Sequence, residues 1–164
     1  LNVGASLLEK GTEDIIKSIY SSAEKNNCNI IIPVDCVVSN DLNGLPKPKS
    51  LSEIKSEDII LDIGEKTIEL INKTVELSKT VFWNGPAGYF ENKNFSKGTL
   101  SIAKKISSDT DTKSLISIVG GGDTIAALKN VEFRKVFTHL STAGGAFLES
   151  IEGKELPGIK VLKK

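Results

Sequence analysis

The chain has 164 residues, 39% hydrophobic and 26% charged, which is enough apolar material for a globular core and excludes a disordered chain. Lys plus Arg and Asp plus Glu both number 21, so the formal net charge is zero and a broad nucleic-acid surface is excluded. No apolar run approaches the ~20 residues of a membrane span, so a membrane partner is not expected.

The start, Leu1-Asn2-Val3-Gly4, has neither the charged region nor the apolar core of a signal peptide. The sequence contains no Met, and its start is read as a cut inside a longer protein. Cys28 and Cys36 have no histidine near them, since His139 is the only one, so a zinc site is not expected. Two free thiols in a reducing cytoplasm is the expectation.

In chain order, Thr12 is placed to cap a helix with Glu13 and Asp14 in its first turn. Ile15, Ile16, Ile19, Tyr20 and Ala23 then share one face. Ile30–Val34 reads as a strand, and Asn40–Ser56, with Gly44, Pro46 and Pro48, as a long surface loop. Asp58–Ile63 reads as a strand, followed by a helix from Glu65 with Ile68, Ile71 and Val75 at helical spacing.

Strands at Thr80–Trp83, Ser114–Val119 and Val136–Leu140 alternate with three helices. These carry Thr99, Ile102, Ala103 and Ile106, then Ile125 to Leu128 after Asp123, then Phe147, Leu148 and Ile151 after Gly144. Strands dense in Ile, Val and Phe are those buried on both faces of a parallel sheet. The alternation predicts an α/β fold, a Rossmann-like α/β/α sandwich of three layers with a mainly parallel sheet. An opening element that is helical fits a sheet incomplete at its N-terminal side.

Three strand ends carry candidate chemistry. Ser117-Ile118-Val119 runs into Gly120-Gly121-Gly122-Asp123-Thr124 and then a helix. Glycines let the backbone approach a ligand closely, and the N–H groups of the next helix start favour phosphate oxygens. Asp123 is placed to hold a magnesium ion bridging those phosphates. The alternative is a tight strand-to-helix turn capped by Asp123. The pattern is neither a P-loop nor Gly-x-Gly-x-x-Gly.

Val81-Phe82-Trp83-Asn84 ends in Gly85-Pro86-Ala87-Gly88-Tyr89-Phe90-Glu91. Asn84 would face a ligand crevice, Gly85, Pro86 and Gly88 would wall a flat base, and Glu91 would accept from ribose hydroxyls. The alternative is a turn with a solvated Glu91. His139-Leu140 enters Ser141-Thr142-Ala143-Gly144-Gly145, a cradle for a second anion or a phosphoryl group in flight. His139 itself reads as a structural, hydrogen-bonded histidine. In a parallel sheet all three turns open on one edge, which together describe a nucleotide-polyphosphate crevice.

Trp83-Asn84-Gly85-Pro86, Gly120-Gly121-Gly122-Asp123-Thr124, Ser141-Thr142-Ala143-Gly144-Gly145 and Glu152-Gly153-Lys154-Glu155-Leu156-Pro157-Gly158, in that order, resemble the end of phosphoglycerate kinase. Ile32-Pro33-Val34-Asp35 and Leu61-Asp62-Ile63-Gly64-Glu65-Lys66-Thr67 are similar to earlier segments of that family, so the resemblance spans essentially the whole chain.

The resemblance implies a glycolytic, magnesium-dependent phosphotransferase that interconverts 1,3-bisphosphoglycerate and ADP with 3-phosphoglycerate and ATP. Residues 1–164 would then be part of the C-terminal nucleotide-binding domain, without the N-terminal domain that binds 3-phosphoglycerate. It further implies that Glu91 takes the ribose of ATP or ADP, and that Gly121, Gly122, Asp123 and Thr124 take the phosphates, with Asp123 on Mg2+. Asn84 would lie beside the phosphate chain and Leu61, Pro86 and Tyr89 on the adenine side. Gly122 and Gly145 would steady the moving phosphoryl group.

Ala143 stands where the family usually has glycine, and Tyr89 where it has a small aliphatic residue. A nucleotide-binding module without phosphotransfer is the competing expectation. An oxidoreductase domain is disfavoured, because no Gly-x-Gly-x-x-Gly follows a strand. The full-length enzyme is expected to be a monomer. This chain is expected to self-associate through an open sheet edge or to be marginally stable, with Ile159–Lys164 poorly ordered or packed on a neighbour. Lacking the second substrate's domain and the cationic groups that neutralise the transferring phosphate, the chain alone is expected to show no turnover. A coupled assay with ATP, magnesium and 3-phosphoglycerate checks this, and a rate above background would overturn the fragment reading.

Overall fold

The computed structural model describes residues 2–129, 136–141 and 143–163. They form two compact units, one ending at Ile71 and the other beginning at Asn72.

The first unit opens with α1 (Glu13–Lys25). Thr12 precedes it as expected, with Glu13 and Asp14 in the first turn, although the Thr12 side chain makes no capping bond. The apolar stripe forms but is not covered: Ile15, Ile16, Ile19 and Tyr20 are all exposed.

The strand expected at Ile30–Val34 begins instead at Asp35. Pro33 has no N–H, and the N–H groups of Val34 and Asp35 donate to Thr67 Oγ1 at 3.0 and 3.2 Å, so that run has no ladder to join. β1 (Asp35–Ser39) is central in an antiparallel sheet, flanked by β2 (Lys47–Ser50) and β3 (Ile59–Ile63). The loop expected over Asn40–Ser56 therefore contains a strand. β2 was hidden because Lys47-Pro48-Lys49-Ser50 has no apolar alternation, and its Pro48 is tolerated on an edge strand. The turn before it is an Asx turn, in which Asn43 N–H donates to Asp41 Oδ1 at 2.6 Å. Cys36, Val38 and Ile54 form the core here, with Leu51 and Ile60 against them.

Two carboxylates organise this unit. Asp58 accepts from Lys55 N–H at 2.7 Å and pairs with Lys49 Nζ at 2.5 Å, tying β2 to the entry of β3. The hydrogen bond from Lys49 holds the Asp58 carboxyl below the usual range. Asp35 caps the start of α2 (Glu65–Leu77) from a distance in sequence: its carboxylate accepts from Thr67 N–H (2.9 Å), Thr67 Oγ1 (2.6 Å) and Lys66 N–H (3.0 Å). Burial pushes the Asp35 carboxyl up, but these hydrogen bonds and the Lys66 charge outweigh it and hold it below the ordinary value.

In the second unit, β4 (Thr80–Asn84), β5 (Ile116–Gly120) and β6 (His139–Ser141) form a parallel sheet in the order β4-β5-β6. α3 (Lys97–Lys113) lies between β4 and β5 and α4 (Gly122–Ala127) between β5 and β6, while α5 (Gly144–Ile151) and a final turn, α6 (Pro157–Lys160), follow β6. This is the α/β architecture with a parallel sheet that the alternation predicts. Trp83, Phe95, Ile102, Ala103, Ile106, Val119 and Leu128 are buried. α3 buries the face expected of it, Thr99, Ile102, Ala103 and Ile106 included. Ser117 and Thr138 exchange reciprocal bonds at 3.0 and 3.1 Å, locking β5 to the entry of β6. Ile159, Val161 and Leu162 at the tail are exposed, although α6 itself forms. No described helix is long and apolar enough to cross a membrane.

The Asp35 cap has a measurable pH signature. A carboxyl with a lowered folded pKa contributes stability above its ordinary value, and that contribution is lost as pH falls through the folded value. Asp35→Ala should cost about 1–2 kcal/mol at neutral pH. The gap between variant and parent in urea unfolding should narrow as pH is stepped below the ordinary value of 3.8. A gap independent of pH would mean the cap does not act as an ionised carboxylate.

Candidate functional site

The second unit brings three strand ends to one level. Asn84 pairs in register with Gly120, and Gly120 with Ser141, so the three loops leave the sheet from a single row. Parallel strands place all their carboxyl ends on the same edge. The convergence expected from three separate glycine-rich turns is therefore present.

The loops are also joined to one another. Gly85 N–H donates to Thr124 Oγ1 at 2.7 Å, linking the turn after β4 to the start of α4. Gly121, with φ +93°, lies under the Asn84 carboxamide, and a Cβ there would come 2.7 Å from Asn84 Oδ1. Gly144 also rests against Gly121: a Cβ on Gly144 would lie 2.7 Å from Gly121 Cα and 2.9 Å from its nitrogen. The ring of Phe147 on α5 packs against Phe82 on β4 with centroids 4.9 Å apart, so the third loop's helix is anchored to the first loop's strand.

Gly122 and Gly145 differ from these. A Cβ at either would project into open space, and both residues are exposed. Nothing in the packing of the described residues requires glycine at these two positions. The N–H groups of Gly122, Asp123 and Thr124 precede the first helical bond of α4, from Ile125 to Gly121 O at 3.1 Å, and have no partner within the helix. α4 has only six residues, so attraction for an anion would come from these N–H groups rather than from a long helix dipole.

Asp123 is exposed in the first turn of α4. Among the described residues no three His, Cys, Asp or Glu side chains cluster to hold a metal. Thr124 is fully buried and its hydroxyl accepts from Gly85 N–H, while its own N–H has no partner within the helix. Asn84, at the end of β4, stands beside Gly121.

Pro86 and Tyr89 are half-buried in a loop fixed by Thr99, and Glu91 is exposed in the turn that follows. Leu61 lies buried on β3, in the other unit. Thr142 lies outside the described residues. His139 is exposed on β6, in register with Ile118, and its side chain makes no hydrogen bond to a described residue, so the hydrogen-bonded role expected of it is not seen among the described residues. Sequence reasoning missed Thr99, which lies outside every glycine motif. Cys28 and Cys36 are free thiols, as expected.

The close approach of Gly144 to Gly121 separates two neighbouring glycines by experiment. Gly144→Ala should destabilise by about 1–3 kcal/mol, because the added methyl meets backbone that cannot yield. Gly145→Ala should stay within about 0.5 kcal/mol. Thermal unfolding of the two variants checks this, and equal losses would place the backbone contact elsewhere.

Comparison with known proteins agrees with this geometry. The family model described as phosphoglycerate kinase matches residues 1–154. The phosphoglycerate kinase of Zymomonas mobilis is 44% identical over 99% of this chain and 42% of its own length, and that of Staphylococcus epidermidis is 44% identical over 98% and 39%. The structure of phosphoglycerate kinase from Coxiella burnetii superposes with a TM-score of 0.88 at 38% identity, covering 98% of this chain and 41% of that one. The Pyrococcus horikoshii enzyme follows at 0.73 and 28%, covering 99% and 40%. The chain thus spans about two-fifths of the length of the relatives it matches. With the family model matched over nearly its whole length, the chain belongs to the phosphoglycerate kinase family.

Proposed function

We propose that this chain is the nucleotide-gripping part of a phosphoglycerate kinase, serving magnesium-dependent phosphoryl transfer between 1,3-bisphosphoglycerate and ADP in the cytoplasm. The observation that carries the reading is the row Asn84–Gly120–Ser141, from which three mutually braced loops leave the sheet. Gly122 and Gly145 add support. Their missing side chains serve no described packing, and they leave backbone N–H groups open to a phosphate.

In this reading the N–H groups of Gly122, Asp123 and Thr124 hold the nucleotide's phosphates, with Gly121 and the Asn84 carboxamide alongside. Gly122 and Gly145 border the path of the transferring group. Pro86 and Tyr89 wall the base, and Glu91 accepts from the ribose hydroxyls. An exposed carboxylate that belongs to no cluster of three metal-ligating side chains among the described residues suits Mg2+, which retains waters and takes its remaining ligands from phosphate oxygens. Asp123 would hold it, and the metal's contribution when bound is to neutralise charge on the bridged phosphates. None of the site residues named here is cationic. Transfer would therefore need positive charge from outside this set, and the chain by itself is expected to bind nucleotide without turning over. The 3-phosphoglycerate site belongs, in the same reading, to the part of the relatives that this chain does not match.

Asp123→Ala should weaken ADP binding by about tenfold with magnesium present, equivalent to ~1.4 kcal/mol, and much less in EDTA. Titration calorimetry in the two buffers checks it. Equal losses would take Asp123 off the metal and leave it as a first-turn carboxylate of α4.

A further inference from the structure

The stretch Gly85–Gly88 has three amide donors, since Pro86 has none. All three are committed to two threonine hydroxyls. Gly85 N–H donates to Thr124 Oγ1, and Ala87 and Gly88 N–H both donate to Thr99 Oγ1, at 3.0 and 3.2 Å. Thr99 and Thr124 are each 0% exposed, Thr99 in the first turn of α3 and Thr124 in α4. From the strand side, Trp83 Nε1 donates to Gly85 O at 2.7 Å. The loop is thus held from three elements, and this stretch has no N–H left for an anion. What it offers is a rigid surface of ring, Cα and carbonyl atoms, suited to a flat base rather than to phosphate.

We propose that Thr99 is a positioning residue for nucleoside recognition: by receiving two loop N–H groups on one buried hydroxyl, it sets the Pro86–Tyr89 wall at the orientation a base requires, without touching the ligand. This rests on the nucleotide reading of the site. It separates the work of the three loops, giving nucleoside recognition to the turn after β4 and polyphosphate recognition to the turn after β5. A hydroxyl can accept twice while its own hydrogen remains free to donate, which no residue with an aliphatic side chain can imitate. Removing it leaves two loop amides without a partner, and the wall relaxes toward solvent.

The experiment uses the full chain as wild type, Thr99→Val and Thr99→Ser, titrated with magnesium-ADP and separately with magnesium-tripolyphosphate, which has the charge but no nucleoside. Thr99→Val should weaken ADP about tenfold and leave tripolyphosphate within about twofold, and Thr99→Ser should restore ADP binding. Equal loss of both ligands, no loss of either, or failure of serine to rescue would overturn the inference. Amide hydrogen exchange at Ala87 and Gly88 gives a readout independent of any ligand. Slow exchange in wild type and in Thr99→Ser, released in Thr99→Val, is the expected pattern, and equal exchange in all three overturns the inference. If wild type binds tripolyphosphate but not ADP, the nucleotide reading fails and this inference falls with it. If it binds neither, the nucleotide reading fails, and the exchange at Ala87 and Gly88 still decides whether Thr99 sets the loop.

Discussion

The register of three parallel strands is the constraint from which the site follows. Because β4, β5 and β6 run the same way and end at Asn84, Gly120 and Ser141 on one row, their loops must meet. An antiparallel neighbour would have sent one of those loops to the opposite edge. Meeting is then refined into contact by the absence of side chains. Gly121 touches both the Asn84 carboxamide and Gly144, so the backbones approach to a distance that any Cβ would prevent. Besides the Phe82–Phe147 ring contact, cohesion at this edge comes from backbone proximity and a few hydroxyls.

The other unit solves a similar problem with charge. β1 and α2 are joined through the Asp35 carboxylate and the Thr67 hydroxyl, each making several bonds across more than thirty residues of sequence. Lys49 and Asp58 do the same between β2 and the turn before β3. Nearly all polar capacity in these clusters is consumed internally, which marks them as structural and sets them apart from the open N–H groups at the start of α4.

How much of this was legible depended on whether a residue's role left a periodic or local trace. Helices α1 to α5 and strands β4 and β5 were, because apolar spacing in α3 and the dense runs before Asn84 and Gly120 are what buried elements require, whereas β6 begins at His139 rather than Val136 and α6 was not expected. β2 was not, because Lys47-Pro48-Lys49-Ser50 forms a strand only by pairing with β1, and nothing in its own side chains asks for it. Ile30–Val34 misled for the opposite reason. Its composition suits a strand, but a strand needs a neighbour, and Asp35 rather than Ile30 is where the ladder begins. In the site, the glycines were visible as motifs. Thr99 was not: it lies well away from the loop it holds, and a threonine on a buried helix face reads as filler until its hydroxyl is seen to receive Ala87 and Gly88.

The bond from Trp83 to Gly85 carries one more consequence. Trp83 is the only tryptophan in the chain, its ring is nearly enclosed, and its one polar atom is tied to the carbonyl at the root of the Gly85–Gly88 turn. Indole emission responds to solvation and to hydrogen bonding at that nitrogen. The tryptophan emission of this chain, excited selectively over Tyr20 and Tyr89, is therefore a local gauge tied to that turn. A spectral change on adding a small molecule would report an event at that turn, with no label needed to see it.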